Sequence, residues 1–158
     1  MRVLLINPSM NMKKLGSFAK LLEPMPPTGL AYIAGALEHH GCTVKAVDMF
    51  AEGMSATEVV DACKRFRPDL VGMTVLTPSA TVCEQLSDRI KRALPEVKIV
   101  WGAVHADVFA RELVRGGIAD FVVHHDGEIT VCELVDALDA NEKDFSAIDG
   151  LTWLTTDG

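Results

Sequence analysis

The chain has 158 residues, of which 49% are hydrophobic and 23% charged, a composition typical of one globular domain with a single core. A formal net charge of −7 and the lack of a basic cluster argue against nucleic acid as the main partner. The apolar runs are too short to span a bilayer, and the N-terminal run has no small-residue cleavage site. We therefore expect a cytoplasmic protein without a membrane span.

Strand-like apolar runs alternate with helical patterns along the whole chain. The predicted strands are 2–7, 43–47, 69–76, 97–101 and 120–123, and the predicted helices are 30–40, 56–66, a segment carrying Val82 to Leu94, 107–115 and 129–138. Ser55 is expected to cap the second helix, and Thr77 or Ser79 the third. Five β-α units in succession predict an α/β fold with a doubly wound, five-stranded parallel sheet. We expect the flavodoxin-like strand order 2-1-3-4-5, with helices on both faces.

Two segments do not fit this alternation. Residues 8–27 form a connection of about twenty residues without helical periodicity, which is too long to be idle in a compact domain. We expect it to be functional and the least ordered part of the chain. Residues 150–155 look like one strand of a hairpin whose turn follows. The domain is therefore predicted to span 1–147, and 148–158 to begin a linker or hairpin that leads to an absent C-terminal domain.

The four cysteines are predicted to be ordinary small core residues. Cys42, Cys63, Cys83 and Cys132 are widely scattered, and no pair has the spacing of metal ligands. There is no iron–sulfur triad in the sequence. We expect no metal site formed by these residues.

The carboxyl ends of the strands are the expected place for a ligand. Open α/β sheets bind ligands where the first and third strands diverge, and the loops there begin at Asn7, Thr77, Gly102 and His124. The third strand ends in hydroxyl residues, and Pro78 cannot continue a central ladder. Thr74 and Thr77 could contact a ligand, or they could only complete hydrogen bonds at the strand end.

Spacing tests three common occupants of such a crevice. The first loop has no glycine before Gly16, which disfavours a dinucleotide even though Asp48 lies where a ribose-binding acid would. No glycine-rich loop ends in Lys followed by Ser or Thr, which excludes the usual triphosphate site. A phosphoryl-accepting receiver would need an acidic pair after the first strand, where this chain has Asn7.

A resemblance to a known protein family indicates a fourth kind of ligand for the crevice. The runs that carry it are Pro26-Pro-Thr-Gly-Leu-Ala-Tyr-Ile-Ala-Gly-Ala-Leu37, Asp69-Leu-Val-Gly-Met-Thr-Val-Leu-Thr-Pro78, Trp101-Gly-Ala-Val-His105, Ala119-Asp-Phe-Val-Val-His-His-Asp-Gly-Glu128 and Ile148-Asp-Gly-Leu-Thr-Trp153. Together with Asp48, their order and spacing resemble the N-terminal cobalamin-binding domain of cobalamin-dependent radical S-adenosylmethionine enzymes. The resemblance covers almost the whole chain.

The resemblance implies which residues contact the cofactor. The candidate cofactor-binding residues are Asn7, Pro8, Ser9, Asp48, Thr74, Leu76, Thr77, Pro78, Gly102, Ala103, His105, His124, Gly127 and Glu128. Where the family has paired glycines beside the nucleotide tail, this chain has Gly102-Ala103. No histidine occurs in the first loop, where better-known cobalamin domains carry their cobalt ligand. Cobalamin is therefore expected base-off, with its lower face against Leu76, Thr77 or water.

The resemblance also implies a role in a larger protein. The chain would be the cofactor module, without catalysis of its own, of a radical S-adenosylmethionine methyltransferase or cyclase. The [4Fe–4S] cluster and S-adenosylmethionine would lie in the absent C-terminal domain of the same polypeptide. Two alternatives stay open: a small doubly wound nucleotide-binding protein or enzyme that uses Asp48 and His105, and a non-binding interaction domain.

Overall fold

The computed structural model describes residues 1–10 and 25–155. The strands are β1 (Arg2–Asn7), β2 (Thr43–Asp48), β3 (Leu70–Thr74), β4 (Lys98–Gly102), β5 (Phe121–Val123) and β6 (Leu151–Trp153). The helices are α1 (Thr28–His39), α2 (Ala56–Phe66), α3 (Ala80–Ala93), α4 (Val104–Val108), α5 (Ala110–Arg115) and α6 (Glu128–Asp139), with a 3₁₀ turn at Thr77–Ser79. The prediction for the long first loop falls mostly outside the described residues.

The strands form one sheet in the order β2-β1-β3-β4-β5-β6, and the first five are parallel. This confirms the doubly wound α/β class and the predicted order 2-1-3-4-5. From β1 the chain passes to β2 on one side, and from β3 it passes to β4 on the other side. The loops that follow these two neighbouring strands therefore separate from each other.

The central strands are buried on both faces, as their continuous apolar runs predict. Alternate residues of β1 enter two different cores: Leu4 and Ile6 pack with α2, α3 and α5, whereas Val3 and Leu5 pack with α1 and α6. Helices therefore cover both faces of the sheet, as expected. Among the described residues, no helix is long and apolar enough to cross a membrane.

The helix that follows β3 begins differently from the prediction. β3 ends at Thr74, and the chain then makes the 3₁₀ turn before α3. The Ser79 hydroxyl donates to the Leu76 carbonyl at 3.0 Å and accepts from the Leu76 N–H at 3.2 Å. Ser79 therefore closes this turn and makes no capping bond to α3. At α2 the prediction is confirmed, because Ser55 and Glu58 form a reciprocal capping box.

A sixth strand corrects the expected count of five. β6 pairs antiparallel with β5, placing Trp153 opposite Phe121. Phe145 lies against both rings, with centroid distances of 5.0 Å to Phe121 and 6.1 Å to Trp153. This aromatic cluster covers the edge of β5 and fixes the strand there. The spacing of residues could not predict this aromatic cluster, because Phe145 lies in a polar segment that shows no regular period.

The cysteines are free thiols that pack as small core residues. Burial raises the pKa of Cys63 to about 11 and that of Cys83 to about 12. Burial also raises the pKa of Cys42 and of Cys132. At neutral pH these thiols stay protonated, which disfavours metal ligation. No group of three or more metal-binding side chains was found among the described residues.

Candidate functional site

An open groove of about 190 Å³ lies between the sheet and the N-terminal turns of α1 and α6. Its walls come from the carboxyl halves of four strands and from the first turns of these two helices. The lining residues are Leu5, Gly29, Leu30, Ile33, Gly72, Met73, Thr74, Val100, Trp101, Gly102, Ala103, Val123, His125, Asp126, Gly127, Glu128 and Val131. The lining is mainly apolar, with polar groups at the mouth, as in many small-molecule sites.

The floor of the groove depends on a glycine in the middle of β3. A side chain at Gly72 would place its Cβ 2.8 Å from Cδ2 of Leu5 and 3.6 Å from Cγ1 of Val100. The lack of a side chain lets Leu5 lie across the strand and keeps the floor low. A glycine inside a strand often marks such a close approach.

The two helices are bonded to each other at the end that lies away from the groove. His40, just after α1, contacts Asp136 of α6 at 2.8 Å, far from the groove. At the groove end, neither helix has a side-chain cap, so the first backbone N–H groups face its mouth. Gly127 fits tightly there, because an added Cβ would lie 2.7 Å from Cγ1 of Val123. A substitution at Gly127 would therefore push α6 away from β5.

Gly102, at the end of β4, differs from these two glycines. A Cβ at Gly102 would meet only the carbonyl oxygen of Val123, at 3.7 Å, which is an ordinary contact. Its position in the lining means that a longer side chain there would extend into the groove. Gly102 thus leaves space for a ligand and is not required by the packing of the domain.

Ala103 occupies a backbone conformation that favours glycine. Its φ of 74° and ψ of 177° lie in a region that non-glycine residues rarely adopt. The alanine stands where the resembling family often has its second glycine, and it lines the groove. Backbone strain is therefore stored at the edge of the candidate site.

Replacing Ala103 with glycine is expected to stabilise the domain. Relief of strain worth roughly 1–3 kcal/mol should outweigh the roughly 0.4–1 kcal/mol of added chain entropy in the unfolded state. Urea denaturation should therefore show a higher midpoint for Ala103→Gly. The matched control is Ala36→Gly inside α1, which should lower stability by about 1 kcal/mol. Equal losses for the two variants would contradict the assignment of strain to Ala103.

Five of the predicted site residues line the groove: Thr74, Gly102, Ala103, Gly127 and Glu128. Leu76, Thr77 and Pro78 lie in the exposed turn after β3, above the carboxyl edge of the sheet. The Leu76 side chain is 47% exposed, which is unusual for a large apolar residue beside a groove. Pro8 is buried and Ser9 half-buried in the loop after β1.

His105 lies at the same edge but does not line the groove. Its Nδ1 is 3.4 Å from the Thr77 hydroxyl, and its ring lies 4.7 Å from that of Phe109. The His105 N–H also donates to the Val75 carbonyl at 3.1 Å. These contacts hold α4 beside the turn after β3, so His105 stands next to Leu76 and Thr77.

Asn7 and Asp48 form a separate cluster at the ends of β1 and β2. The Asn7 amide donates to one oxygen of Asp48 at 3.0 Å, and the other oxygen accepts from the N–H groups of Phe50 and Ala51. Both carboxylate oxygens are therefore engaged in holding the turn after β2. Neither residue lines the groove.

His124 also lies outside the groove lining. Both of its ring nitrogens contact protein groups: Nδ1 contacts Asp107, and Nε2 lies 2.8 Å from the Thr152 hydroxyl. His124 cannot coordinate a metal without losing one of these partners. Its neighbour His125 is 84% exposed at the groove mouth.

Sequence reasoning missed most of the groove wall. The residues it missed include Leu5, Gly29, Leu30, Ile33, Gly72, Val123, His125 and Val131. One signal was available, since Gly72 interrupts an otherwise apolar strand. The apolar residues of α1 and α6 carried no such signal, because their spacing is equally typical of core packing.

Comparison with protein families gives one match over most of the chain. The model of the "B12 binding domain" matches residues 16–135. Anaerobic magnesium-protoporphyrin IX monomethyl ester cyclase of Rubrivivax gelatinosus is 29% identical, and the match covers 100% of this chain and 28% of that protein. Cytidylyl-2-hydroxyethylphosphonate methyltransferase of Streptomyces wedmorensis is also 29% identical, over 99% of this chain and 32% of that protein.

A solved structure with the same fold is the radical S-adenosylmethionine methyltransferase TsrM from Kitasatospora setae, with cobalamin and a [4Fe–4S] cluster bound. The TM-score is 0.80 at 24% identity, and the match covers 99% of this chain and 28% of TsrM. The chain therefore spans about a third or less of the length of these relatives.

Proposed function

Because the chain belongs to the B12-binding domain family, whose cofactor is cobalamin, we propose that it holds cobalamin base-off, without a protein histidine on cobalt. The nucleotide tail would enter the groove between the sheet and the first turns of α1 and α6. The observation that carries this proposal is the space beside Gly102, where a Cβ would point toward no atom closer than 3.7 Å.

The residues present suit this cofactor. A long, partly apolar tail needs an open groove with a low floor, and Gly72 and Gly102 contribute to that shape because neither carries a side chain. Backbone N–H groups at the uncapped starts of α1 and α6 can donate to polar atoms of the tail. When bound, cobalamin supplies cobalt chemistry such as methyl transfer, whose reactivity depends on the axial ligands of the metal.

The turn after β3 would meet the lower face of the corrin ring. Leu76 offers exposed apolar surface, and the Thr77 hydroxyl lies within reach of His105. We assign His105 to a hydrogen bond with the corrin side chains and not to the metal. The role of Leu76 would be to exclude water and to leave the lower axial position without a nitrogen ligand.

The histidine contacts support the base-off state. The sequence from Asn7 to Pro27 contains no histidine, and both ring nitrogens of His124 have protein partners. His105 contacts Thr77 through Nδ1 and packs on Phe109. A bond from cobalt to His124 would therefore require one of its contacts to break, whereas Nε2 of His105 and the exposed ring of His125 at the groove mouth have to be tested directly.

A visible spectrum tests this prediction. After reconstitution with hydroxocobalamin and gel filtration, the reduced cobalt(II) form should show a base-off spectrum. Its electron paramagnetic resonance should lack splitting from an axial nitrogen. A base-on spectrum would contradict the proposal, and nitrogen splitting that disappears in His105→Ala or His125→Ala would identify a protein ligand instead.

The same proposal includes the role of this domain in a longer protein. We place this domain at the start of a longer radical S-adenosylmethionine enzyme of the cytoplasm, a methyltransferase or cyclase. The [4Fe–4S] cluster and S-adenosylmethionine would be bound by the later part of that polypeptide. The basis is that relatives with these activities are about three times longer than the matched region. Residues 148–158 would then lead out of the domain.

The nucleotide-binding alternative has less support. Asp48 has both oxygens engaged in a turn, and neither Asp48 nor His105 lines the groove. The reconstitution experiment separates the two functions, because bound cobalamin absorbs visible light and a nucleotide does not.

A further inference from the structure

His124 joins two elements that belong to different parts of the chain. It follows β5 at the carboxyl edge of the sheet, and its side chain is 23% exposed. Nδ1 contacts Asp107 of α4, and Nε2 lies 2.8 Å from the hydroxyl of Thr152 in β6. A single imidazole ring therefore connects α4, β5 and β6.

The chemistry of Asp107, His124 and Thr152 determines which group donates and which accepts in each hydrogen bond. An ionised carboxylate can only accept, so Asp107 requires the proton of the neutral imidazole on Nδ1. Nε2 is then the acceptor, and the Thr152 hydroxyl donates to it. The hydrogen bonds run from Thr152 to His124 to Asp107; the loss of Asp107 removes the group that holds the proton on Nδ1, and the loss of Thr152 removes the donor to Nε2.

The same segment is tied to the groove side of the domain by two further bonds. The His124 N–H donates to the Gly150 carbonyl at 2.8 Å, and the buried Thr130 hydroxyl donates to the Asp149 carbonyl at 2.9 Å. Thr130 lies in the first turn of α6, between the groove residues Gly127 and Val131. These bonds therefore attach residues 149 and 150 to α6 and to the residue that follows β5, beside the groove.

His124 itself and the α4 end of its connection lie next to groove residues. Val123 directly precedes His124, and Ala103 directly precedes α4. A ligand that fills the groove would press on both residues. Because α4 and β6 are joined through one ring, a change at either should reach the other.

We propose that His124 is a positioning residue that couples β6 to α4, so that the segment leaving the domain and the helix bearing His105 respond together to the occupied groove. The inference rests on the proposed function, in that the occupant is taken to be cobalamin. The conformation of residues 149–153 would thereby depend on whether the cofactor is bound, and the later part of a longer polypeptide could respond to it.

The apo protein provides the first test. Thr152→Val removes the hydroxyl but keeps the shape, and Thr152→Ser keeps the hydroxyl. In Thr152→Val, amide hydrogen exchange in α4 should become about threefold faster or more, because the His124 ring loses the hydroxyl that holds its Nε2. Thr152→Ser should restore the original rates. Thr43→Val, at the opposite edge of the sheet, is the control and should leave α4 unchanged.

Ring ¹⁵N shifts give a second readout. The wild type should show the proton on Nδ1, and Asp107→Ala should move it to Nε2. Faster exchange confined to β6 in Thr152→Val, or a proton on Nε2 in the wild type, would overturn the coupling.

Hydroxocobalamin then tests the link to the cofactor. In the wild type it should slow exchange in both α4 and residues 149–153. In Thr152→Val the slowing in residues 151–153 should fall to less than half, while α4 is still protected. If hydroxocobalamin slows exchange in residues 151–153 of Thr152→Val as much as in the wild type, His124 does not couple β6 to the occupied groove. If the wild type does not retain hydroxocobalamin, the proposed function fails, and the apo measurements alone decide whether the coupling exists.

Discussion

Replacing Gly102 with leucine is expected to abolish cobalamin retention while the fold survives. The Cβ position at Gly102 faces open space in the groove, with Val123 O at 3.7 Å as its nearest neighbour. A leucine side chain would occupy the volume assigned to the nucleotide tail. We expect the affinity to fall by at least about a hundredfold, equivalent to about 2.7 kcal/mol.

The cost to the fold should be small by comparison. Gly102 does not have a positive φ, and no atom lies close to the new Cβ, so Gly102→Leu should lower the unfolding free energy by only about 1–2 kcal/mol. Absorbance after reconstitution and gel filtration measures retention, and urea denaturation measures the fold. Gly35→Leu is the matched control, because it adds the same side chain to an exposed site of α1 outside the groove. Unchanged retention in Gly102→Leu would leave Gly102 with a structural role in the turn alone.

The second large effect concerns Trp101, which supports the strand beside the groove. Trp101 is fully buried, and its indole N–H donates to the Ser87 hydroxyl of α3 at 3.1 Å. Trp101→Ala should lower the unfolding free energy by about 3–5 kcal/mol. Because single domains are stable by only about 5–15 kcal/mol, this variant should be partly unfolded in mild denaturant.

Two further variants test the hydrogen bond of the Trp101 indole and the effect of burial on the cost of removing a tryptophan. Ser87→Ala leaves the buried indole N–H without its acceptor and should cost about 1–3 kcal/mol. Trp153→Ala, on the edge strand β6, should cost less than Trp101→Ala, because Trp153 is only half-buried whereas Trp101 is fully buried. Chemical denaturation followed by far-ultraviolet circular dichroism compares all three. An equal loss for the two tryptophans would show that Trp101 is not a central part of the core.

The chain order of strands and helices was predictable because hydrophobic periodicity is a local property. The runs Val3–Ile6 and Leu70–Met73 are apolar at every position or nearly so, which identifies strands buried on both faces. The place of the site followed from the same pattern, because all parallel strands end at one edge of the sheet. Thr74 and Gly102 were found in this way.

The fate of individual polar side chains was not predictable in the same way. His124 and Asp48 were candidates for the cofactor because the family resemblance implied contacts with it at these strand ends. Their partners, Asp107 and Thr152 for His124 and Asn7 for Asp48, lie between 17 and 41 residues away along the chain. A sequence pattern does not show which distant donor or acceptor will reach a given side chain.

The sequence by itself therefore determined the doubly wound sheet, its strand order and the edge of the sheet at which the candidate groove lies, since these depend on which residues are apolar and on how they alternate. Only the tertiary structure decided the groove, the strain at Ala103 and the pairing of the sixth strand, which the sequence had placed in a separate hairpin, with β5. The groove exists because the first turns of α1 and α6 lie over Gly72 and Gly102 of the sheet. The sixth strand exists because Phe145 and Trp153 meet Phe121 across the edge of the sheet. Both depend on contacts between residues far apart in the chain, which local periodicity does not encode.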